Sequence, residues 1–291
     1  MACALKDVFS FGSGLWDPSH RFETSWLLGP WLLFLCRAVI CIYAFATLLF
    51  IIGWTCAHAP LGGCLAVRQS FSYFTVLTYW GLAFYFLVAA LHTLTYALTG
   101  RPLLDRFPHP LQALHALFYT SIVTFPFLVT IVYWAILYKN PWFPREFDAW
   151  HNVSQHALNS LFALFELVVA RTAPPPPVHL VWLIAVLLAY LAVAYITLAA
   201  QGFYTYSFLD HDAVGGRGYV AAYIVGIAVG IVVIFGIVYG LIFLRRWVTE
   251  TKLGMEGRFA SQPVRGDDAE MNTIGRKGAR SIEAERSAAA A

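Results

Sequence analysis

Long apolar blocks separated by short polar breaks set the pattern of this chain. Predominantly apolar stretches of about twenty residues occupy positions 31–54, 71–98, 111–138, 151–170, 178–200 and 219–244. At about 1.5 Å of rise per residue, each is long enough for a helix to cross a hydrocarbon core about 30 Å thick. The pattern therefore predicts an all-α polytopic integral membrane protein with six transmembrane helices in one bundle. The fourth block is the weakest by hydropathy and the richest in polar side chains, reading Trp150-His-Asn-Val-Ser-Gln-His156 at its start. Pro126 predicts a kink in the third span, with a hydroxyl or a neighbouring helix meeting the freed carbonyl. Gly226, Gly230, Gly236 and Gly240 give the sixth span a small-residue seam, read as internal packing. Pro174 to Pro177 read as a stiff polyproline connection between spans four and five.

Composition adds the character of the two ends. Residues 1–30 form an N-terminal lead without the basic, apolar and small-residue succession of a cleaved signal peptide, and Ala2 excludes N-myristoylation. Residues 245–291 turn polar and mixed in charge, with too little apolar surface to fold, and predict a disordered cytosolic tail. Only 12% of the chain is charged, with a net charge of +3, and the basic residues are dispersed over loops and tail. That distribution excludes a nucleic-acid interface and leaves membrane lipids as the expected partners. With six spans, Lys6, Arg21, Arg101, Arg106, Arg171, Arg245, Arg246 and Lys252 fall on one side, against Arg68, Lys139, Arg145 and Arg217 on the other. The richer side should be cytosolic, with both termini. Cys56 and Cys64 flank a short Pro/Gly loop on the opposite, luminal or extracellular side, where a disulfide would persist. Cys36 and Cys41 lie within the first span and read as small packing residues.

Candidate chemistry begins with His156, because an imidazole in lipid is costly and so marks a functional position. Spans two and four both enter from the luminal side, and Thr75 and His156 each lie one to two turns below it. By spacing, Thr75, Thr78 and Tyr79 share one helical face, and His156, Asn159 and Ser160 share another. The segment Gln201-Gly-Phe-Tyr-Thr-Tyr-Ser-Phe-Leu-Asp210 enters at the same depth and carries Tyr204 and Tyr206. Arg37 and Glu166 lie together in the cytosolic half, with His92 and His115, and read as a structural ion pair or as part of a proton path. Glu166 is ten residues beyond His156, about 15 Å of rise, too deep to orient the imidazole. His151 and His156 are five apart and diverge on a helix, while Asp148, Asp210 and Asp212 come from loops, so no metal site is expected. Neither a phosphate-binding glycine loop nor a serine-hydrolase elbow is present, and no cofactor is expected.

Several blocks carry a resemblance. Phe74-Thr75-Val76-Leu77, Val132-Tyr133-Trp134, Asn152 to His156 with Glu166 ten positions on, Arg171-Thr172, and Tyr204-Thr-Tyr-Ser-Phe-Leu-Asp210 occur in this order. Together they resemble the androgen-induced-gene family, which also contains the androgen-dependent regulator of tissue factor pathway inhibitor. The likeness covers residues 71–210. It implies an endomembrane or plasma-membrane hydrolase of lipid esters, acting on fatty acid esters of hydroxy fatty acids. On this chain it implies Thr75 as nucleophile and His156 as base, with Thr78 the rival hydroxyl. Oxyanion donors would come from Thr78, Asn159, Ser160, Tyr204 and Tyr206. The same blocks also resemble the insect rolling stone proteins and their plant relatives, which would make the chain a non-enzymatic signalling, adhesion or transport protein. Oligomeric state is not legible.

Overall fold

The computed structural model describes residues 16–255, and among these all regular structure is helical apart from one isolated bridge between Ser25 and Ala170. Ten helices run in order: α1 (Pro30–Ala57), α2 (Gly63–Ser70), α3 (Phe74–Thr99), α4 (His109–Ile122), α5 (Phe125–Val132), α6 (Glu146–Val153), α7 (Asn159–Val169), α8 (Val178–Gln201), α9 (His211–Val214) and α10 (Arg217–Arg246). Three π-helical turns, Tyr133–Leu137, Ser154–Leu158 and Trp247–Lys252, continue α5, join α6 to α7 and extend α10.

Among the described residues, five helical stretches are long and apolar enough to cross a membrane: Pro30–Ala57, Phe74–Thr99, His109–Leu137, Val178–Gln201 and Arg217–Lys252. The fourth sequence block forms α6, its π turn and α7 without a break, but its polar side chains leave it outside that set. Many outward-facing side chains are large and apolar, as in Val39 and Ile42 of α1 and Val225, Val229 and Ile237 of α10. A helix that is apolar all round fits lipid or a deep core, and exposed ones fit lipid. Inward, Leu48, Leu82, Ala83, Phe86 and Leu183 pack with almost no exposure.

Local chemistry explains the breaks. Pro126 sits in the first turn of α5, where a missing N–H costs nothing, and the Thr124 hydroxyl donates to the Thr120 carbonyl at 2.6 Å. Cys56 and Cys64 are disulfide-bonded and tie the end of α1 to α2. Gly62, at φ +90° in the turn between them, already has its Cβ direction blocked by Ala66. The glycine seam of α10 departs from the expected internal packing. Only Gly230 approaches a neighbour, Leu128 at 3.6 Å from the position of a Cβ, while Gly226, Gly236 and Gly240 face open space.

Both ends of the described chain are built into the bundle more firmly than their composition predicts. Residues 16–29 form a strap across one end: Ser25 Oγ donates to Val169 O at 2.6 Å, Trp26 Nε1 to Val168 O at 2.7 Å, and Arg171 N to Thr24 O at 3.0 Å. The carbonyls at the end of α7 thus find donors outside their own helix. Arg245 adds a bond to Leu167 O at 2.6 Å and another to Thr172 O. Beyond Arg246 the helix continues, and Glu250 grips Arg21 at 2.6 and 3.1 Å. The tail expected from position 245 is therefore ordered at least through Met255, because Thr249 and Glu250 are buried against the strap. The remainder of the expected tail, with Lys6 and Ala2 at the other end, lies outside the described residues.

Within the strap, Glu23 is fully buried and neither carboxylate oxygen has a hydrogen-bond partner. Burial first, and the neighbouring Asp17 charge second, push its carboxyl up to about 8 from 4.5. The folded state therefore holds a proton that the unfolded chain releases, and stability falls as pH rises from about 4.5 through about 8. Thermal unfolding in detergent between about pH 5 and about pH 9 should show this decline, and Glu23→Gln should flatten it. A slope unchanged in the variant would assign the effect to another group.

Candidate active site

A polar run inside an apolar chain must find partners, and the run at positions 148–156 finds most of them in itself and in the facing π turn. Asn152 accepts from the Tyr133 hydroxyl at 2.7 Å and donates to Asp148 O at 2.9 Å. Ser154 is bonded to the Tyr43 hydroxyl at 2.8 Å. His156 Nδ1 lies 3.0 Å from Asn152 O. A carbonyl can only accept, so Nδ1 carries the hydrogen and Nε2 keeps its lone pair. The imidazole is clamped further by stacking on Tyr133, with ring centroids 3.6 Å apart, and Trp134 Nε1 donates to His156 O at 2.8 Å. Two π turns thus meet face to face at this histidine. Such turns break the four-residue ladder and recur at functional sites.

Thr75 and His156 line the same cavity of about 560 Å³, together with Tyr133, His151, Asn152, Gln155 and Tyr206. Both are nearly buried, at 9% and 8% exposure. They are not hydrogen-bonded to each other. The Tyr206 hydroxyl lies against the side chain and backbone of Thr75. Burial, and then the neighbouring Tyr190, hold that hydroxyl far above its ordinary range, so it remains a donor. Thr75, Tyr133 and Tyr206 also line a second pocket of about 110 Å³ whose other walls, including Leu128, Val129, Ile184 and Leu187, are apolar. The threonine therefore stands between a chamber that carries polar groups on a largely apolar wall and a second, apolar pocket.

Other sequence-derived candidates lie elsewhere. The Thr78 hydroxyl donates to its own helix, to Phe74 O at 2.9 Å and Thr75 O at 3.1 Å, and lines a separate groove with Pro126 and Val193. Asn159 and Ser160 are engaged by Thr130, at 3.1 and 2.7 Å, outside the cavity. Tyr204 packs in an apolar cluster with Phe208 and Val220. Arg37 and Glu166 form a bidentate ion pair with both distances 2.7 Å, away from the cavity. Sequence reasoning did not single out Tyr133, Gln155 or the π turns as parts of the site. The signal for Tyr133 was its place in the Val132-Tyr133-Trp134 block.

Among the described residues one group of acids and histidine comes close enough for a metal ion, Asp210, His211 and Asp212, with ligand atoms within 4.8 Å of one another. Its donors are already turned on each other: His211 Nδ1 faces Asp212 Oδ1 at 3.1 Å, and Asp210 Oδ1 caps Asp212 N at 3.0 Å. No protein-family model, curated protein or solved structure was found to match the chain.

Proposed function

We propose that the chain is a six-span membrane hydrolase of lipid esters in which Thr75 is the nucleophile and His156 the base. The observation that carries this reading is the shared cavity: Thr75 and His156, whose Nε2 is free, line one chamber, and an apolar pocket adjoins the threonine. In the reaction, His156 Nε2 takes the Thr75 proton as Oγ1 attacks the ester carbonyl. The tetrahedral oxyanion accepts from Tyr206, with Gln155 on the cavity wall as the second donor. Collapse expels the alcohol, which takes the proton from His156 and leaves an acyl group on Thr75. Water, deprotonated by the same imidazole, releases the fatty acid and frees Thr75. The resemblance to the androgen-induced-gene family favours fatty acid esters of hydroxy fatty acids as substrates, and endoplasmic reticulum, other endomembranes or the plasma membrane as the location. In this reading α6 and α7 together form the fourth of six spans, and both termini are cytosolic.

Transport, the function class of the rolling stone reading, needs a polar route from the cavity to the Arg37–Glu166 pair. Along α3 the intervening turns carry Tyr79, Leu82, Ala83 and Phe86, each nearly or fully buried. That packed layer, in which the Tyr79 hydroxyl is the one side-chain polar group, favours a chamber closed at depth, as hydrolysis requires. The test is covalent labelling of purified protein by a fluorophosphonate probe, followed by peptide mapping. Label should appear on Thr75, vanish in Thr75→Ala and persist in Thr78→Ala. Label on Thr78, or undiminished label in Thr75→Ala, would sink the proposal.

A further inference from the structure

Two pockets share Thr75, and the base belongs to one of them. His156 lines the larger chamber of about 560 Å³, with His151, Asn152 and Gln155, and does not line the smaller pocket of about 110 Å³. The smaller pocket lies between α5, α8 and α10, walled by Ile184, Leu187 and Leu188 on one side and by Ile224, Ile227 and Ala228 on another. Its polar wall residues are Thr75 and three tyrosines, and the Tyr190 hydroxyl is spent on Ser72 O at 3.0 Å. Leu188 is also 59% exposed on the outer surface of α8, and Val225 and Val229, beside the α10 wall, are exposed too. Both helices are long and apolar enough to cross a membrane, so the pocket borders a face that fits lipid.

We propose that the smaller pocket holds the acyl half of the ester, with the rest of a long chain running out between α8 and α10 into lipid, while the alcohol half lies in the larger chamber. This assignment rests on the hydrolase reading above, and the position of the base decides it. As Thr75 Oγ1 bonds to the carbonyl carbon, the bond from that carbon to the alcohol oxygen breaks, and this oxygen takes the proton that His156 drew from Thr75. The leaving oxygen must therefore point into the chamber that His156 lines. The acyl chain departs from the carbonyl carbon in another direction, and the second pocket at Thr75 offers it apolar walls. A volume of about 110 Å³ lies below the range of about 300–1,000 Å³ for sites that enclose a whole small molecule, so the pocket takes the first carbons of the chain and not all of it. Water for the second step arrives through the chamber the alcohol has left, where the same imidazole deprotonates it.

The test gives the full chain, in detergent micelles, ethyl palmitate and hexadecyl acetate, isomers that carry the long chain on opposite sides of the ester. Ala228→Phe fills the pocket and should lower the ratio of kcat/KM for ethyl palmitate to that for hexadecyl acetate by about tenfold, the scale of a lost fit in an apolar pocket. Leu188→Trp alters an exposed side chain at the pocket's outer edge, should move the ratio the same way, and decides the matter if Ala228→Phe fails to fold. Val225→Phe, on the outer face of α10 and outside the pocket, should leave the ratio at its parental value. If Thr75→Ala abolishes turnover of both isomers, an unchanged or raised ratio in either folded pocket variant would overturn the proposal and leave the hydrolase reading standing. Undiminished turnover of both isomers in Thr75→Ala would remove that reading and this proposal with it.

Discussion

Glu166→Ala should destabilise the protein by about 3–5 kcal/mol, the cost of leaving one member of a buried ion pair without its partner. Arg37 and Glu166 are both fully buried, and the guanidinium spends its donors on the two carboxylate oxygens, the Thr93 hydroxyl and the Phe22 carbonyl. Tyr85 adds a bond to the carboxylate at 3.3 Å. Without Glu166 the guanidinium keeps a buried charge with no carboxylate bonded to it, and the nearest remaining acid is the unpartnered Glu23 of the strap. The pair joins α1, α3 and α7 to the strap, so its loss should loosen all four together. Replacing both charges, as Arg37→Met with Glu166→Leu, should cost much less, because no charge is left buried. Thermal and denaturant unfolding in detergent distinguishes the two outcomes. A single variant as stable as the parent would mean that water or lipid head groups reach this depth.

The same ion pair shows what could be read from sequence. Two opposite charges at one depth in apolar helices are few enough to be paired by elimination, and membrane-length blocks place helices such as Pro30–Ala57 and Phe74–Thr99 within a few residues. Depth is legible because rise per residue is nearly constant. Rotation about the helix axis is less so. Thr78 comes three residues after Thr75, which leaves it about 60° away around the helix, and that is enough to turn it into a different groove. Asn159 and Ser160 would stand beside His156 only on unbroken α-helical spacing. The π turn at Ser154–Leu158 spends an extra residue in one turn, which rotates α7 by about 100° relative to α6 and delivers both side chains to Thr130. Nothing in the local composition marks that turn. The strap was illegible for another reason: its hydrogen bonds run to main-chain carbonyls 140 or more residues away, and such partners leave no side-chain signature.

Removing either member of the proposed dyad should lower ester turnover by about 10²–10⁴, the usual worth of a positioned base, with the larger loss for Thr75→Ala, which also removes the bond-forming atom. The two losses should not add. Once the nucleophile is gone the imidazole has no proton to take, so Thr75→Ala with His156→Ala should be about as slow as Thr75→Ala alone. Stability should respond differently at the two positions. Thr75 borders open cavity, and its truncation removes little packing. His156→Ala removes the Tyr133 stack and the Nδ1 bond to Asn152 O, so it should lower the melting temperature as well. His156→Gln separates these effects: the amide can still donate to the Asn152 carbonyl, but it cannot accept a proton at neutral pH. It should recover much of the lost stability and none of the rate. Turnover of a fluorogenic long-chain ester, measured beside melting temperature for all four variants, provides the check. A Gln variant that hydrolyses at the parental rate would show that His156 holds the fold of this site and does not move its protons.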